Sequence, residues 1–154
     1  MSNNSNVTLS KDKNEQKYLT CIMEVRVMKG KKFLVCEHCG NLVGMIKDSG
    51  VPIVCCGQPM TVLEANTVDA SFEKHTPVVK VEGDKVIADV GSAEHPMVDV
   101  HYIEWIYVDT NKGGQRKSLN PGEAPHAEII MAEGEKAEAV YAYCNLHGLW
   151  KTEI

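Results

Sequence analysis

Four cysteines within residues 36–56 constrain the fold of this chain more than any other feature of its sequence. Cys36 and Cys39 are separated by two residues. Fifteen residues then lie between Cys39 and the adjacent pair Cys55 and Cys56. Four thiolates at this spacing can converge on one ion, and a set of four sulfur ligands suits zinc or iron. The surrounding segment 33–60 is too short to bury much apolar surface, so we expect a metal ion to stabilise it.

The adjacent cysteines Cys55 and Cys56 require a bend in the backbone if both are to bind the same ion. Side chains of neighbouring residues in a strand point to opposite faces, so Cys55 and Cys56 can reach one ion only where the chain bends. We expect Gly57 and Pro59 to supply that bend. Three alternatives stay open, namely a zinc ribbon, a strained disulfide between the adjacent cysteines, and a ligand role for His38, which we expect to be a solvent-facing residue of the knuckle.

Histidines and one further cysteine occur in three short motifs downstream, EKHTP, HPMVDVH and CNLHG. The candidate metal ligands in these motifs are His75, His95, His101, Cys144 and His147. Zinc rarely takes five protein ligands, whereas iron with five would keep one open position. Four imidazoles in a plane, with a thiolate on the axis opposite that open position, would suit the binding and reduction of a small oxygen species.

Two charged residues precede the first of these histidines. Lys74 would add positive charge that draws in a small anion, and Glu73 could bind the oxidised metal or carry protons. Without a metal at His75, the same two residues would be an ordinary exposed charged pair. Glu73 and Lys74 are therefore catalytic candidates only together with the metal.

Short runs of Val, Ile and Tyr alternate with turn residues from Thr67 onward. This texture predicts an all-β fold with an antiparallel sandwich and no long helix. The predicted strands are 78–82, 85–90, 99–109, 115–119, 127–132, 138–143 and 148–153.

The N-terminal 30 residues differ in character from the rest of the chain. Residues 1–17 are mostly polar and are expected to form a disordered tail, and the alternation over 21–27 allows a short strand. Cys21 has no motif around it, so we favour a buried free thiol over an intersubunit or redox contact.

Composition excludes several classes of function. Sixteen Lys and Arg against 21 Asp and Glu give a net charge of −5, which disfavours binding to nucleic acid. No apolar run is long enough to span a membrane, and the N-terminus lacks the apolar segment of a signal peptide. We therefore expect a soluble, cytoplasmic protein whose clustered cysteines bind metal.

Several stretches together resemble the desulfoferrodoxins, the two-iron superoxide reductases. They are CEHCGNLV, CCGQPM, EKHTP, EHPM, HYIEWI, LNPGEAP and YCNLHGLWK, and with their spacing they cover residues 33–154. The resemblance implies a desulforedoxin-like metal-knuckle domain over 31–66 and an immunoglobulin-like, seven-stranded antiparallel β-sandwich over 67–154. It says nothing of the extension 1–30, and it implies a homodimer.

The resemblance also implies two Fe ions per chain and their ligands. Cys36, Cys39, Cys55 and Cys56 would hold an auxiliary Fe(SCys)4 centre, and His75, His95, His101 and His147 would surround a second iron with Cys144 on its axis. Lys74 would guide superoxide, and Glu73 would bind the oxidised iron. The implied reaction is the one-electron reduction of superoxide to hydrogen peroxide, with electrons from a rubredoxin-like donor.

Two other functions compete with this interpretation. A non-enzymatic electron carrier would use only the Fe(SCys)4 site and would tolerate changes at His75 and Cys144. A protein-binding module stabilised by a structural zinc ion would be colourless and would use the sandwich for protein contacts. The set of five ligands argues against both, because neither function needs it.

Overall fold

Strands and tight turns account for most of the described chain, which comprises residues 30–154 of a computed structural model. The strands are β1 (Phe33–Val35), β2 (Leu42–Gly44), β3 (Val54–Cys55), β4 (Gln58–Pro59), β5 (Thr61–Val62), β6 (Pro77–Glu82), β7 (Lys85–Val90), β8 (Ile103–Thr110), β9 (Gly113–Ser118), β10 (His126–Ile130), β11 (Ala137–Cys144) and β12 (Gly148–Glu153). Between residues 30 and 154 the single helix is α1 (Phe72–His75). The predicted all-β class is confirmed.

Some sequence predictions fall outside the described residues. The predicted tail, the short strand over 21–27 and the free thiol of Cys21 all lie there. Within residues 30–154, no helix has the length and apolar character needed to cross a membrane.

The five short strands β1–β5 form a knuckle region over residues 33–62. Strands β2, β1 and β5 make one antiparallel sheet in that order, and β3 pairs with β4 in a separate hairpin. The buried cluster of this region consists of Leu34, Cys36 and Met60. So small a core contributes little hydrophobic free energy, which agrees with the expectation of a stabilising metal.

The remaining seven strands form two facing antiparallel sheets. One sheet has the order β10-β7-β6 and the other has the order β12-β11-β8-β9. In β7, Val86, Ala88 and Val90 are buried while the residues between them are more exposed, the alternation typical of a strand with one face in a core. These sheets confirm the expected seven-stranded sandwich.

Aromatic packing joins the knuckle region to the four-stranded sheet. The ring of Phe33 lies with its centroid 5.1 Å from that of Trp105 and 5.4 Å from that of Tyr141. Farther along, the Asn66 side chain accepts a hydrogen bond from Lys151 N–H at 2.8 Å and donates to the Lys151 carbonyl at 3.0 Å. These contacts attach the knuckle region to strands β8, β11 and β12.

The predicted strand 99–109 begins four residues later than expected, at Ile103. Val98 and His101 instead exchange two backbone hydrogen bonds across a tight turn, at 2.9 and 3.0 Å. Val98 and Val100 belong to this turn and are 53% and 75% exposed. The prediction failed here because the chain turns back on itself between His95 and His101.

Candidate metal centres

The four cysteines of the knuckle region converge as the sequence predicts. Cys36, Cys39, Cys55 and Cys56 have ligand atoms that all lie within 4.8 Å of one another. The Sγ atoms of Cys55 and Cys56 are 4.0 Å apart, about twice the length of a disulfide bond, and all four thiols are free. The alternative of a disulfide between the adjacent cysteines is therefore excluded.

Two tight turns bring these sulfurs together. In the first, Gly40 N–H donates to the Cys36 carbonyl at 2.8 Å, and Gly40 takes a φ of +75°. In the second, Cys56 and Gly57 are the two central residues of the β3–β4 hairpin, with φ values of +48° and +79°. Positive φ at both positions is the mark of a type I′ turn.

The source of the bend at the adjacent cysteines differs in part from the prediction. Gly57 contributes to it, as expected, and Cys56 itself shares the left-handed conformation. Pro59 does not contribute, because it lies in β4 and pairs with Val54. The hairpin turn between two paired strands supplies the bend that we had attributed to proline.

The electrostatics of this group favour a bound cation. Backbone N–H groups of Cys39 and His38 lower the pKa of the Cys36 thiol to about 7, although its burial opposes them. The neighbouring Cys39 thiol and burial raise the pKa of Cys56 to about 12. Four thiolates therefore do not form together at neutral pH unless a cation offsets their repulsion.

The second candidate group gathers at one end of the sandwich from three parts of the chain. His75 ends α1, His95 and His101 lie in the β7–β8 connection, Cys144 ends β11, and His147 lies in the turn before β12. The ligand atoms of His75, His95, His101 and Cys144 all lie within 4.8 Å of one another. His147 joins them, because its Nδ1 is 2.9 Å from His75 Nε2 and 3.6 Å from Cys144 Sγ.

The four imidazole rings are arranged as a square. Neighbouring rings around it, in the order 75, 95, 101 and 147, have centroids 4.7–4.9 Å apart and are nearly perpendicular. His75 and His101 face each other across a diagonal of 6.2 Å. Two nitrogens that bind one ion at about 2.1 Å in neighbouring positions lie about 3 Å apart, which agrees with the separation of His75 Nε2 and His147 Nδ1.

Hydrogen bonds determine which nitrogen faces the centre. His75 Nδ1 lies 2.7 Å from the Ser71 carbonyl and His95 Nδ1 lies 2.6 Å from the Pro96 carbonyl. A carbonyl only accepts, so each Nδ1 carries the proton and each Nε2 keeps its lone pair. The buried Nε2 atoms of His95 and His101 have no hydrogen-bond partner in the described part of the chain, as expected of atoms that bind a metal.

The protonation states of these groups also fit a metal. Burial lowers the pKa of His75 and His101, and it lowers the pKa of His95 to about 4, so these imidazoles are neutral at pH 7. Burial raises the pKa of the Cys144 thiol, against hydrogen bonds from the backbone N–H groups of Leu146 and His147. A metal cation at the centre of the group would favour ionisation of the Cys144 thiol and would bind the lone pairs of the imidazole nitrogens.

The two charged candidates lie at the rim of the group. Glu73 and Lys74 are both exposed, whereas the adjacent His75 is buried. The backbone N–H of Glu73 and the Ser71 hydroxyl lower the pKa of the Glu73 carboxyl, so it is ionised at neutral pH. An open cleft of about 570 Å³ runs past Lys74 and His95, wide enough for a small anion to reach the rim.

Two histidines belong to neither group of ligand atoms. His38 is exposed within the knuckle, as predicted. His126 is half-exposed, with its Nδ1 2.7 Å from the Asp89 carboxylate.

Sequence reasoning missed residues that support the ligands. The Trp150 indole stacks on His75 with centroids 4.8 Å apart and donates from Nε1 to the His147 carbonyl at 3.1 Å. Asn145 contacts the loop that carries His101. Both lie in the motif YCNLHGLWK, so their closeness to Cys144 and His147 was the available signal.

Gly91 supports the segment that carries Glu73, Lys74 and His75. Its φ is +87°, and a Cβ there would meet the Ala93 carbonyl and lie 2.7 Å from the Lys74 carbonyl. We therefore expect Gly91→Ala to lower the free energy of unfolding by more than the ~1–3 kcal/mol cost of a left-handed residue, since the Lys74 backbone must also move.

Urea unfolding would measure this effect, with Gly83→Ala as the matched control. Gly83 also has a positive φ, +63°, but nothing lies within 4 Å of its added Cβ. The difference between the two variants isolates the clash at Gly91. Equal losses of stability would show that the contact with Lys74 has no energetic effect.

Comparisons with known proteins agree with this architecture. Residues 67–153 match the family model described as Desulfoferrodoxin. A desulfoferrodoxin homolog of Archaeoglobus fulgidus is 47% identical over 118 residues, 76% of this chain and 92% of the relative. A desulfoferrodoxin of Nitratidesulfovibrio vulgaris is 43% identical over 120 residues, 77% of this chain and 92% of the relative.

A solved structure shows the same fold. The superoxide reductase from Treponema pallidum is 34% identical, with a TM-score of 0.68, and the match covers 81% of this chain and 100% of that one. The all-β fold with a four-cysteine knuckle and a His4Cys group defines a class of iron-binding oxidoreductases with two metal centres. Within that class, the chain belongs to the desulfoferrodoxin family.

Proposed function

We propose that this protein is a superoxide reductase that holds two iron ions. The observation that carries the proposal is the square of four imidazoles with a buried thiol beside it. In this proposal His75, His95, His101, His147 and Cys144 hold the catalytic iron, and Cys36, Cys39, Cys55 and Cys56 hold an auxiliary iron. The superoxide reductase from Treponema pallidum, which shares the fold, supports the same activity.

The reaction converts one superoxide, one electron and two protons into hydrogen peroxide. The iron supplies the electron when it is bound at the five ligands. Lys74 attracts the anion to the open rim beside His75, and the ionised Glu73 next to it can hold water that delivers protons. The buried Cys144, with N–H donors from Leu146 and His147, keeps its thiolate away from solvent.

Lys74→Ala should slow the encounter with superoxide about three- to tenfold at low salt, because one steering charge at the rim is lost. It should also weaken the dependence of the rate on ionic strength. Rapid mixing or pulse radiolysis at several salt concentrations would measure both effects.

Lys112→Ala is the matched control for this experiment. Lys112 lies in the β8–β9 turn, at the far end of β8 from Cys144, and its Nζ donates to the Glu133 carbonyl. Its loss should leave the encounter rate nearly unchanged. Equal rates for Lys74→Ala and the unchanged protein at low salt would remove Lys74 from the mechanism.

The activity itself is tested by product stoichiometry. Protein purified without chelator should contain about two irons per chain and yield one hydrogen peroxide for each superoxide consumed, without dioxygen. Formation of dioxygen would indicate dismutation instead. A colourless protein that contains zinc, and that keeps this zinc after attempted reconstitution with iron, would favour a binding module.

The alternative of an electron carrier also has an observation in its favour. Cys39 and Cys56 are exposed, so an ion at the four cysteines would be accessible to a redox partner. A pure carrier would have no use for the second group, whose five side chains come from three distant motifs. Retention of all redox function after His75→Ala would nevertheless favour the carrier.

The assembly and setting of the protein form part of the same proposal. We propose a homodimer that receives electrons from a rubredoxin-like donor in the cytoplasm, where thiols stay reduced. Ile46, Val51 and Val54 of the knuckle region are exposed apolar side chains that could contact a partner. Sedimentation analysis would measure the oligomeric state.

We also propose that residues 31–66 and 67–154 are separate domains after an N-terminal extension, 1–30. Strand pairing supports this division. Strands β1–β5 pair among themselves, as do β6–β12, and no described strand pairs across residue 67. Limited proteolysis would test the boundary.

A further inference from the structure

We propose that Asn145 is a positioning residue that holds His101 in the square of imidazoles from the loop that carries Cys144. This inference rests on the proposed function, because it assigns a role to a residue of the same site. Asn145 follows Cys144 directly and is half-buried.

The Asn145 side chain contacts the peptide groups on both sides of His101. Its Oδ1 accepts a hydrogen bond from Tyr102 N–H at 3.0 Å, and its Nδ2 donates to the Val100 carbonyl at 3.1 Å. The backbone N–H of Asn145 adds a third hydrogen bond, to the Tyr102 carbonyl at 3.2 Å. An amide carries one acceptor and one donor group, so it suits both partners at once, which a carboxylate or a hydroxyl does less well.

His101 depends on this support more than His75 and His95 do. The rings of His75 and His95 are each oriented by a hydrogen bond from Nδ1 to a carbonyl. The His101 ring has no hydrogen bond in the described part of the chain, and its Nε2 is a buried atom without a partner. Its direction is therefore set by its backbone, which is held by the turn with Val98 and by Asn145.

The location of Asn145 links two ligands that enter the site from different strands. Cys144 ends β11, whereas His101 lies two residues before β8. The Asn145 bonds join these two chain ends directly, next to the thiol, with Oδ1 3.9 Å from Cys144 Sγ. Residues that orient metal ligands in this way commonly change metal affinity about 10–100-fold when they are replaced.

Iron retention tests the inference without relying on catalytic activity. In the full-length, iron-loaded protein, Asn145→Ala should increase the rate of iron release to a chelator from the five-ligand group about 10–100-fold. The visible and EPR signals of that iron should also change. The signals of the iron at the four cysteines should stay the same and serve as an internal reference.

Asn111→Ala is the matched control. Asn111 also joins two chain segments, since its Oδ1 accepts from Lys136 N–H at 2.9 Å, but it lies at the opposite end of β8. It should leave iron release and spectra unchanged even if it lowers thermal stability. Where Asn145→Ala does not fold, the near-isosteric Asn145→Asp loses the donor to Val100 and should also speed release.

The outcomes separate this inference from the function on which it rests. Faster release with an altered spectrum supports the positioning role. An Asn145 variant with unchanged release and spectrum, in a protein whose wild type retains iron at the five ligands, overturns only the inference. A wild type that cannot hold iron there overturns the proposed function, and the inference with it.

Discussion

Cys144→Ser is expected to reduce superoxide consumption by a factor on the order of 100 or more and to remove the visible absorption of the five-ligand iron. The replacement of a residue that merely orients a ligand already costs about 10–100-fold, and here the thiolate ligand itself is lost. A hydroxyl is a weak ligand for this role, because it stays protonated and donates less electron density than a thiolate. The Cys144 side chain is fully buried, so a water molecule cannot easily take the place of its thiolate as a ligand.

Three measurements on one sample decide this prediction. The amount of iron bound at the four cysteines and the absorption of that iron should both be unchanged. These two measurements show that the protein is folded and that the four-cysteine site contains iron. Rapid mixing with superoxide then reports the activity. Full superoxide reduction by Cys144→Ser would refute the assignment of the thiolate, and with it the main argument for this mechanism.

The reciprocal change, Cys36→Ser, is expected to unfold the knuckle region while superoxide reduction continues. Metal binding by structural four-ligand sites contributes about 10–16 kcal/mol to folding in zinc-finger peptides. The knuckle region has only Leu34, Cys36 and Met60 in its own buried cluster, so it has little to replace that contribution. Backbone N–H groups also lower the pKa of the Cys36 thiol to about 7, which favours its ionisation and metal binding.

Proteolysis and activity together test this second prediction. Cleavage between residues 36 and 60 should become rapid in Cys36→Ser, and the bands of the four-cysteine iron should disappear. The packing of Phe33 on Trp105 should limit the damage to the sandwich. A fall in superoxide reduction matching that of Cys144→Ser would show that the two centres depend on each other, contrary to the proposed auxiliary role.

Local pattern predicted most of the strands well. The runs 85–90 and 148–153 were placed as the structure has them, because turn residues bound each run, and in 85–90 the more buried side chains also recur with a period of two. The same reasoning failed over 99–102, where the exposed Val100 lies in a tight turn and not in a strand. Alternation reports a strand only where a second sheet covers one face, and nothing in the sequence of this segment indicates whether it is covered.

The candidate site was partly accessible from sequence. Residue type and motif spacing pointed to the five ligands and to Lys74 and Glu73, because imidazole and thiolate are what iron requires. Trp150 and Asn145 were not recognised, since indole and amide groups have many structural uses and only their hydrogen bonds reveal a role. Gly91 was missed for a similar reason, because its contact with Lys74 joins the two open ends of the β6–β7 hairpin.

The two metal groups differ in what determined them. Residue spacing was enough to indicate the four-cysteine group, because its ligands lie within residues 36–56 and tight turns of fixed geometry bring them together. The convergence of the other group depends on the tertiary structure, since His75 and His147 are 72 positions apart in the sequence and come within 2.9 Å. Their meeting requires the pairing of β6, β7, β8, β11 and β12 into two facing sheets, and that pairing depends on contacts between strands that are distant in the sequence.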